Sequence, residues 1–369
     1  MATVHQCSLG EIAETLPRIT ECAVKKEFAE KGDDLFICAC GFEERCLTIP
    51  RKLAEVSYRA GSSIYIRYAT NSDENDSNLP ALLTYLETIS RQPVRSLDID
   101  THSFGDQLEL MLKACQGAHG GKEATVAVDI SVFANRLSMR CFKTLFEADI
   151  RLRVLYSEAA VYHPTKEEYT QDPQAWGRQD RLSLERGAND PSISPDHPGN
   201  HLDALPNTVI LLPGYNPERS RAVIGKVDQS LLTAPDDKVV WFIGKPHLEE
   251  DAWREQAMRD INNISSEQPQ YVVSTFDYRE TLQFLDSLYA RKWQNSNLTV
   301  SPNGSKMQAL GASLFCYLHP DVRVYFATPK EYNTTKYTEG CKGQWMVDFG
   351  SMRQLRASLD SVGQLYVSD

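Results

Sequence analysis

The stretch that most constrains this chain is residues 298–328, LTVSPNGSKMQALGASLFCYLHPDVRVYFAT. A short β-type run, LTVS, leads into the polar loop PNGSK. A helical run over 307–318 follows, with apolar residues at Met307, Leu310, Leu314 and Leu318. His319 and Pro320 stop it, and 322–326 is a second apolar run. That order is strand, tight loop, helix, strand, a βαβ unit. The loop has the chemistry of an anion site. Gly304 allows a sharp turn and close backbone approach, and Asn303 precedes it. Ser305 stands where an N-cap belongs, with N–H groups after it that point outward. Lys306 puts a positive charge at the positive end of the helix dipole, where it is unfavourable unless an anion faces it. The plainer alternative is a simple cap followed by a solvated lysine.

The same alternation runs through the chain. Apolar strands are expected at 35–40, 63–68, 94–99, 124–130 and 152–156. Helices are expected up to about residue 60 and at 79–90, 104–114 and 135–148. Residues 1–33 read as a helical lead-in, and 71–78, NSDENDSN, as a loop. From 208 the order begins again, with strands at 209–212, 239–243 and 271–275 and helices after 219, at 249–264 and at 278–290. Strands alternating with helices predict an α/β fold with parallel, doubly wound sheets.

The two halves match in detail. GFEER (Gly41, Glu43, Arg45) stands 173 to 174 positions before GYNPER (Gly214, Arg219), since 214 − 41 = 173 and 219 − 45 = 174. ATVAVDIS, ending in Asp129, Ile130 and Ser131, stands 298 − 124 = 174 positions before LTVSPNGS. Tyr162 precedes Tyr332 by 170. These offsets predict an internal duplication: two tandem Rossmann-like domains at 1–169 and 208–369. The linker, 170–207, is rich in Pro, Asn, Asp and Gly and open to proteolysis. At 369 residues, two domains are also the expectation from length.

The strand–NGSK–helix layout resembles the CARF family, the CRISPR-associated Rossmann fold, and its relatives the SAVED domains. The early GFE-x-R and late PNGSK loops are similar to those of two-domain proteins of bacterial antiviral defence islands. The first half departs from the pattern, with Asp129-Ile130-Ser131-Val132 and no lysine at the matching place. The resemblance implies a nucleotide-type small molecule, of the cyclic oligonucleotide class, bound across a pair of such domains.

Several classes fall away. No Gly-x-Gly-x-x-Gly, Walker A, Gly-x-Ser-x-Gly or His-Glu-x-x-His sequence is present, and the eight histidines lack metal-ligand spacing, so no cofactor or metal is expected. The net charge of −11 disfavours direct DNA binding. No apolar run reaches the ~20 residues of a membrane span. Nine scattered cysteines without CxxC pairs fit reduced thiols in a cytoplasmic protein.

In a doubly wound sheet, ligands sit outside the carboxyl ends of the strands. There Arg45 or Arg219 would clamp a phosphate and Glu43 or Glu44 would hold a ribose hydroxyl, or Arg45 simply pairs with one of those glutamates. Asp129 and Ser131 either line the cleft or, for Ser131, cap a helix. Tyr332, Tyr337 and Trp345 would stack on bases or pack locally, Glu158 and Tyr162 hold the equivalent place in the first half, and Asp277 caps a helix. Two functions follow. One is a sensor that binds a nucleotide-type anion between its halves and signals to an effector protein in trans, for no effector segment is visible. The other is an enzyme hydrolysing a nucleotide or cyclic oligonucleotide, as a phosphodiesterase or glycosidic hydrolase. Asp129 or Glu43 would then be base or nucleophile, and Lys306 would stabilise developing charge.

Overall fold

A computed structural model describes residues 15–22, 32–117, 122–171 and 184–363. In chain order, the first elements are β1 (Thr20–Glu21), β2 (Asp33–Ala39), α1 (Thr48–Glu55), β3 (Ala60–Arg67), α2 (Ser72–Asp76), α3 (Leu79–Ile89), β4 (Arg95–Asp98), α4 (Phe104–Gly117), β5 (Ala124–Asp129), α5 (Asn135–Glu147), β6 (Ile150–Glu158), β7 (Val161–Tyr162) and α6 (Lys166–Gln171). Then come β8 (Glu185–Arg186), β9 (Ser192–Ile193), β10 (Asn207–Leu212), α7 (Pro217–Val227), β11 (Val239–Lys245), α8 (Trp253–Asn262), β12 (Gln270–Ser274) and α9 (Tyr278–Lys292). The last are β13 (Asn297–Pro302), α10 (Lys306–Leu318), β14 (Arg323–Phe326), β15 (Glu331–Tyr332), β16 (Thr338–Glu339), β17 (Gly343–Ser351) and α11 (Met352–Gly363). The fold is α/β, and the expected strands and helices fall within a few residues of these.

The chain divides into two compact units. The first comprises Met1–Phe133, Arg140–Val161 and Thr338–Asp369, and the second Ala134–Met139 and Tyr162–Tyr337. This differs from the expected split at 169 and 208, because the chain returns to the first unit after residue 337. There β17 pairs antiparallel with β6 from Gly343↔Glu158 to Ser351↔Arg151, and β1 pairs with β17 in turn.

The first unit holds a seven-stranded sheet in the order β1-β17-β6-β5-β2-β3-β4. Its strands β6, β5, β2, β3 and β4 are mutually parallel. Those strands read as near-continuous apolar runs because both faces are covered. Phe36, Ile37 and Cys38 of β2 and Val126, Ala127 and Val128 of β5 are buried. On one face α3 buries Leu82, Leu86 and Ile89, the spacing of a single helical stripe. The expected loop at 71–78 contains α2. Its Asn75 is buried, accepting from Phe42 N at 2.9 Å and donating to Thr70 O at 2.9 Å. That inward-facing amide gives a wholly polar sequence one satisfied core contact. Of the expected lead-in helix at 1–33, residues 1–14 and 23–31 lie outside the described residues, and β1 is a strand.

The second unit holds a six-stranded sheet in the order β12-β11-β10-β13-β14-β9, parallel except for β9. Counted by chain order, the five parallel strands of each unit run 3-2-1-4-5. Helix α10 is buried on nearly every side, from Met307 to Cys316. Gly311 lets α9 approach it, for a Cβ there would stand 2.3 Å from Tyr278 O. Part of the expected linker belongs to this unit. Its Ser192 and Ile193 pair with Phe326 and Tyr325, and Ser194 N donates to Val324 O at 2.8 Å. Positions 172–183 of the linker lie outside the described residues. Among the described residues no helix is long and apolar enough to cross a membrane, and the eight cysteines there are free thiols.

Candidate functional site

In each sheet the strand order reverses between its first and fourth parallel strands. Chain connections leave in opposite directions there and open a crevice beyond the carboxyl ends. In the second unit these strands are β10 and β13, paired from Asn207↔Asn297 to Leu212↔Pro302. The turn after β10 carries Gly214, and the turn after β13 carries Asn303, Gly304, Ser305 and Lys306. The turns touch, since a Cβ on Gly214 would stand 3.1 Å from Asn303 O. The structure thus brings five of the expected residues into one corner.

Ser305 is the N-cap of α10. Its hydroxyl oxygen accepts from Gln308 N at 3.1 Å, while Gln308 Oε1 accepts from Ser305 N at 2.9 Å, a complete capping box. Its hydroxyl donates to Thr275 O at 2.6 Å. Gly304 is required by this box as much as by any ligand, for its Cβ would lie 2.2 Å from Gln308 Oε1. Gln308 was missed in the sequence, although S-K-M-Q is a capping-box spacing. Its Nε2 is buried and takes no partner among the described residues. Lys306 opens the helix, half-buried, with no acidic residue in the first turn. Asn135, which belongs to the second unit, donates from Nδ2 to Pro302 O and Gly304 O, both at 2.8 Å.

Arg219 is buried and engaged within its unit. Nε donates to Ala327 O at 2.6 Å, NH1 to both Glu185 oxygens at 2.9–3.0 Å, and NH2 to Asn303 Oδ1 at 2.6 Å. Asn303 Nδ2 donates to Ser301 Oγ at 3.0 Å. The arginine therefore shapes the loop, and clamping a phosphate would require it to surrender these partners. Glu185 carries no sequence signal, lying in the Pro- and Asp-rich stretch. Tyr332 packs edge-to-face on Tyr337, ring centroids 5.8 Å apart, so the two rings support one another. Asp277 caps α9, accepting from Arg279 N at 3.0 Å.

The corner of the first unit lies after β2 and β5. Gly41 faces Val132, whose Cβ is 3.3 Å from where a Cβ on the glycine would be. Arg45 donates from Nε to Glu43 at 2.9 Å and from NH1 to Ser157 O at 3.3 Å. Of the two readings of Arg45, pairing with a neighbouring glutamate is the observed one. Glu43 Oε2 also accepts from the Thr338 hydroxyl, so that oxygen is occupied. Asp129 Oδ1 accepts from Ser131 N at 3.0 Å and from the Ser131 hydroxyl, whose oxygen accepts from Ser157 N at 2.7 Å. Burial pushes the Asp129 carboxyl up to about 7, against the two bonds from Ser131 and the charge of Arg45. Trp345 donates to Glu158 at 3.0 Å, a local contact. Among the described residues no cluster of His, Cys, Asp and Glu could hold a metal.

No family model matches the chain, and no curated protein matches it.

Proposed function

We propose that this chain is a nucleotide-type anion-binding sensor or regulatory protein of bacterial antiviral defence, acting through a separate effector protein. The observation that carries the reading is the start of α10. A helix of 13 residues opens with Lys306 at the carboxyl end of β13, beside β10, where the strand order reverses. The first N–H groups of a helix have no intrahelical partner and favour an anion, and a lysine there adds a positive charge to the same end. The unpartnered Gln308 Nε2 adds a buried donor on the same turn. The common 3-2-1-4-5 order and the arginine tie found in both units favour an internal duplication of a Rossmann-like domain. The defence role rests on the resemblance of the GFEER and PNGSK loops.

Calorimetric titration with linear and cyclic oligoribonucleotides tests the reading, using wild type and Lys306→Ala. The variant should melt at or slightly above the wild-type temperature. It should lose about ten- to a hundredfold in affinity, the value of one charge-assisted contact. A variant that melts well below wild type yet binds equally would make the lysine structural and end the anion reading. Conversion of the added nucleotide would replace sensing by catalysis.

A further inference from the structure

Asp129 is 2% exposed, yet half of its carboxylate is unused. Oδ1 takes both bonds from Ser131, while Oδ2 accepts from none of the described residues. The cation beside it is committed elsewhere, with Arg45 Nε and NH2 on Glu43 and NH1 on Ser157 O. Ser157, the next residue bonded to Ser131, has a buried hydroxyl without a partner. The matching residue of the second unit behaves differently. Asn303 uses its oxygen on Arg219 and its nitrogen on Ser301. Burying a carboxylate without full pairing is costly, and such groups gather where a ligand or a reaction uses them. The unused atoms here are an acceptor and a hydroxyl, flanking one serine at the ends of β5 and β6. An anion would be repelled by Asp129, whereas hydroxyl groups would satisfy it.

We propose that the corner of Asp129, Ser131 and Ser157 recognises an uncharged vicinal diol, the sugar hydroxyls of a ribonucleoside, with Asp129 Oδ2 as acceptor. This rests on the strand-reversal reading of the crevice and is independent of Lys306. The ionised carboxylate makes the stronger bond to a hydroxyl donor. Burial holds Asp129 near its titration point at neutral pH, so a bound diol pulls it to the charged form.

The test is calorimetric titration of the full chain with adenosine, guanosine, cytidine and uridine in turn, with their dideoxy counterparts, and with free ribose. At least one ribonucleoside should bind, and its dideoxy counterpart should bind about tenfold or more weakly. Asp129→Asn should lose the same factor without a fall in melting temperature, since an amide already occupies the matching place of the second unit. Ribose binding as tightly as the nucleoside would identify a free sugar as the source of the same diol. Failure of every probe to bind wild type overturns the proposal, as does equal binding of the dideoxy compounds. None of these probes carries phosphate, so their failure leaves the Lys306 reading standing, and its failure leaves this one.

Discussion

Arg219 donates from Nε to the backbone carbonyl of Ala327 at 2.6 Å, tying the first turn of α7 to the residue that follows β14. Arg45, 219 − 45 = 174 positions earlier, makes the same kind of tie to Ser157 O at 3.3 Å, at the end of β6. Each arginine also holds a glutamate, the half-buried Glu185 or the buried Glu43. Removing one partner of such a pair strands the other charge. Arg219→Met is therefore expected to cost about 3–5 kcal/mol in urea unfolding, and Arg45→Met a similar amount. A loss below about 1 kcal/mol for both would return these arginines to the role of free ligand clamps.

Gly304 and Gln308 act as one unit. An alanine at 304 would drive the Gln308 carboxamide off Ser305 N, so Gly304→Ala is expected to cost about 1 kcal/mol. Gln308→Ala should cost about the same, because it deletes the same bond. The double variant should then lose little more than either alone. Full additivity in a double-mutant cycle would mean that the glycine serves something other than the cap.

The α/β fold was legible because buried parallel strands write themselves as apolar runs, as NTVILL and NLTVSP do. The strand β17, set between β1 and β6, was not. GQWMVDFGS is mostly half-buried, mixes polar residues with aromatics, and pairs with β6 nearly two hundred positions away. The corner of the second unit was half legible. Asn303, Gly304, Ser305 and Lys306 stand in one run, and Gly214 and Arg219 answer Gly41 and Arg45. The tie from Arg219 to Glu185 was hidden, because nothing local in a loop-rich stretch records which distant charge it meets. Oδ2 of Asp129 was hidden for the opposite reason, since an unused atom is a property of packing.

The stretch from 184 to 206 is tethered more firmly than its composition implies. Asn189 N, Ser194 N and Asn200 N donate to Thr328 O, Val324 O and Asp321 O at 2.8–2.9 Å. Hydrogen exchange should show these three amides protected to the level of the β14 edge. Exchange at the rate of an unstructured peptide would restore the whole of 170–207 as a free linker.

Asp129 sets the last prediction. Its folded value is raised to about 7, above the ~3.9 of an unfolded aspartate. The folded chain therefore holds a proton that the unfolded chain releases between those values. The stability from this group is fully present below about pH 4 and is lost as pH rises through about 7. At about 1.4 kcal/mol per pH unit, the loss amounts to roughly 4 kcal/mol for one group. Glu168 runs the other way. Its carboxyl is lowered to about 2, where the bonds from His163, Thr165 and Lys336 overcome burial. The wild-type profile thus sums opposing slopes, and the variant isolates one of them. Asp129→Asn keeps an acceptor for Ser131 and cannot ionise. Its stability relative to wild type, from urea unfolding at successive pH values, should rise by about 2–4 kcal/mol from about pH 4 to about pH 8. Curves that stay parallel across that window would show that Asp129 is ionised throughout and fully paired, and the unused oxygen would then need another account.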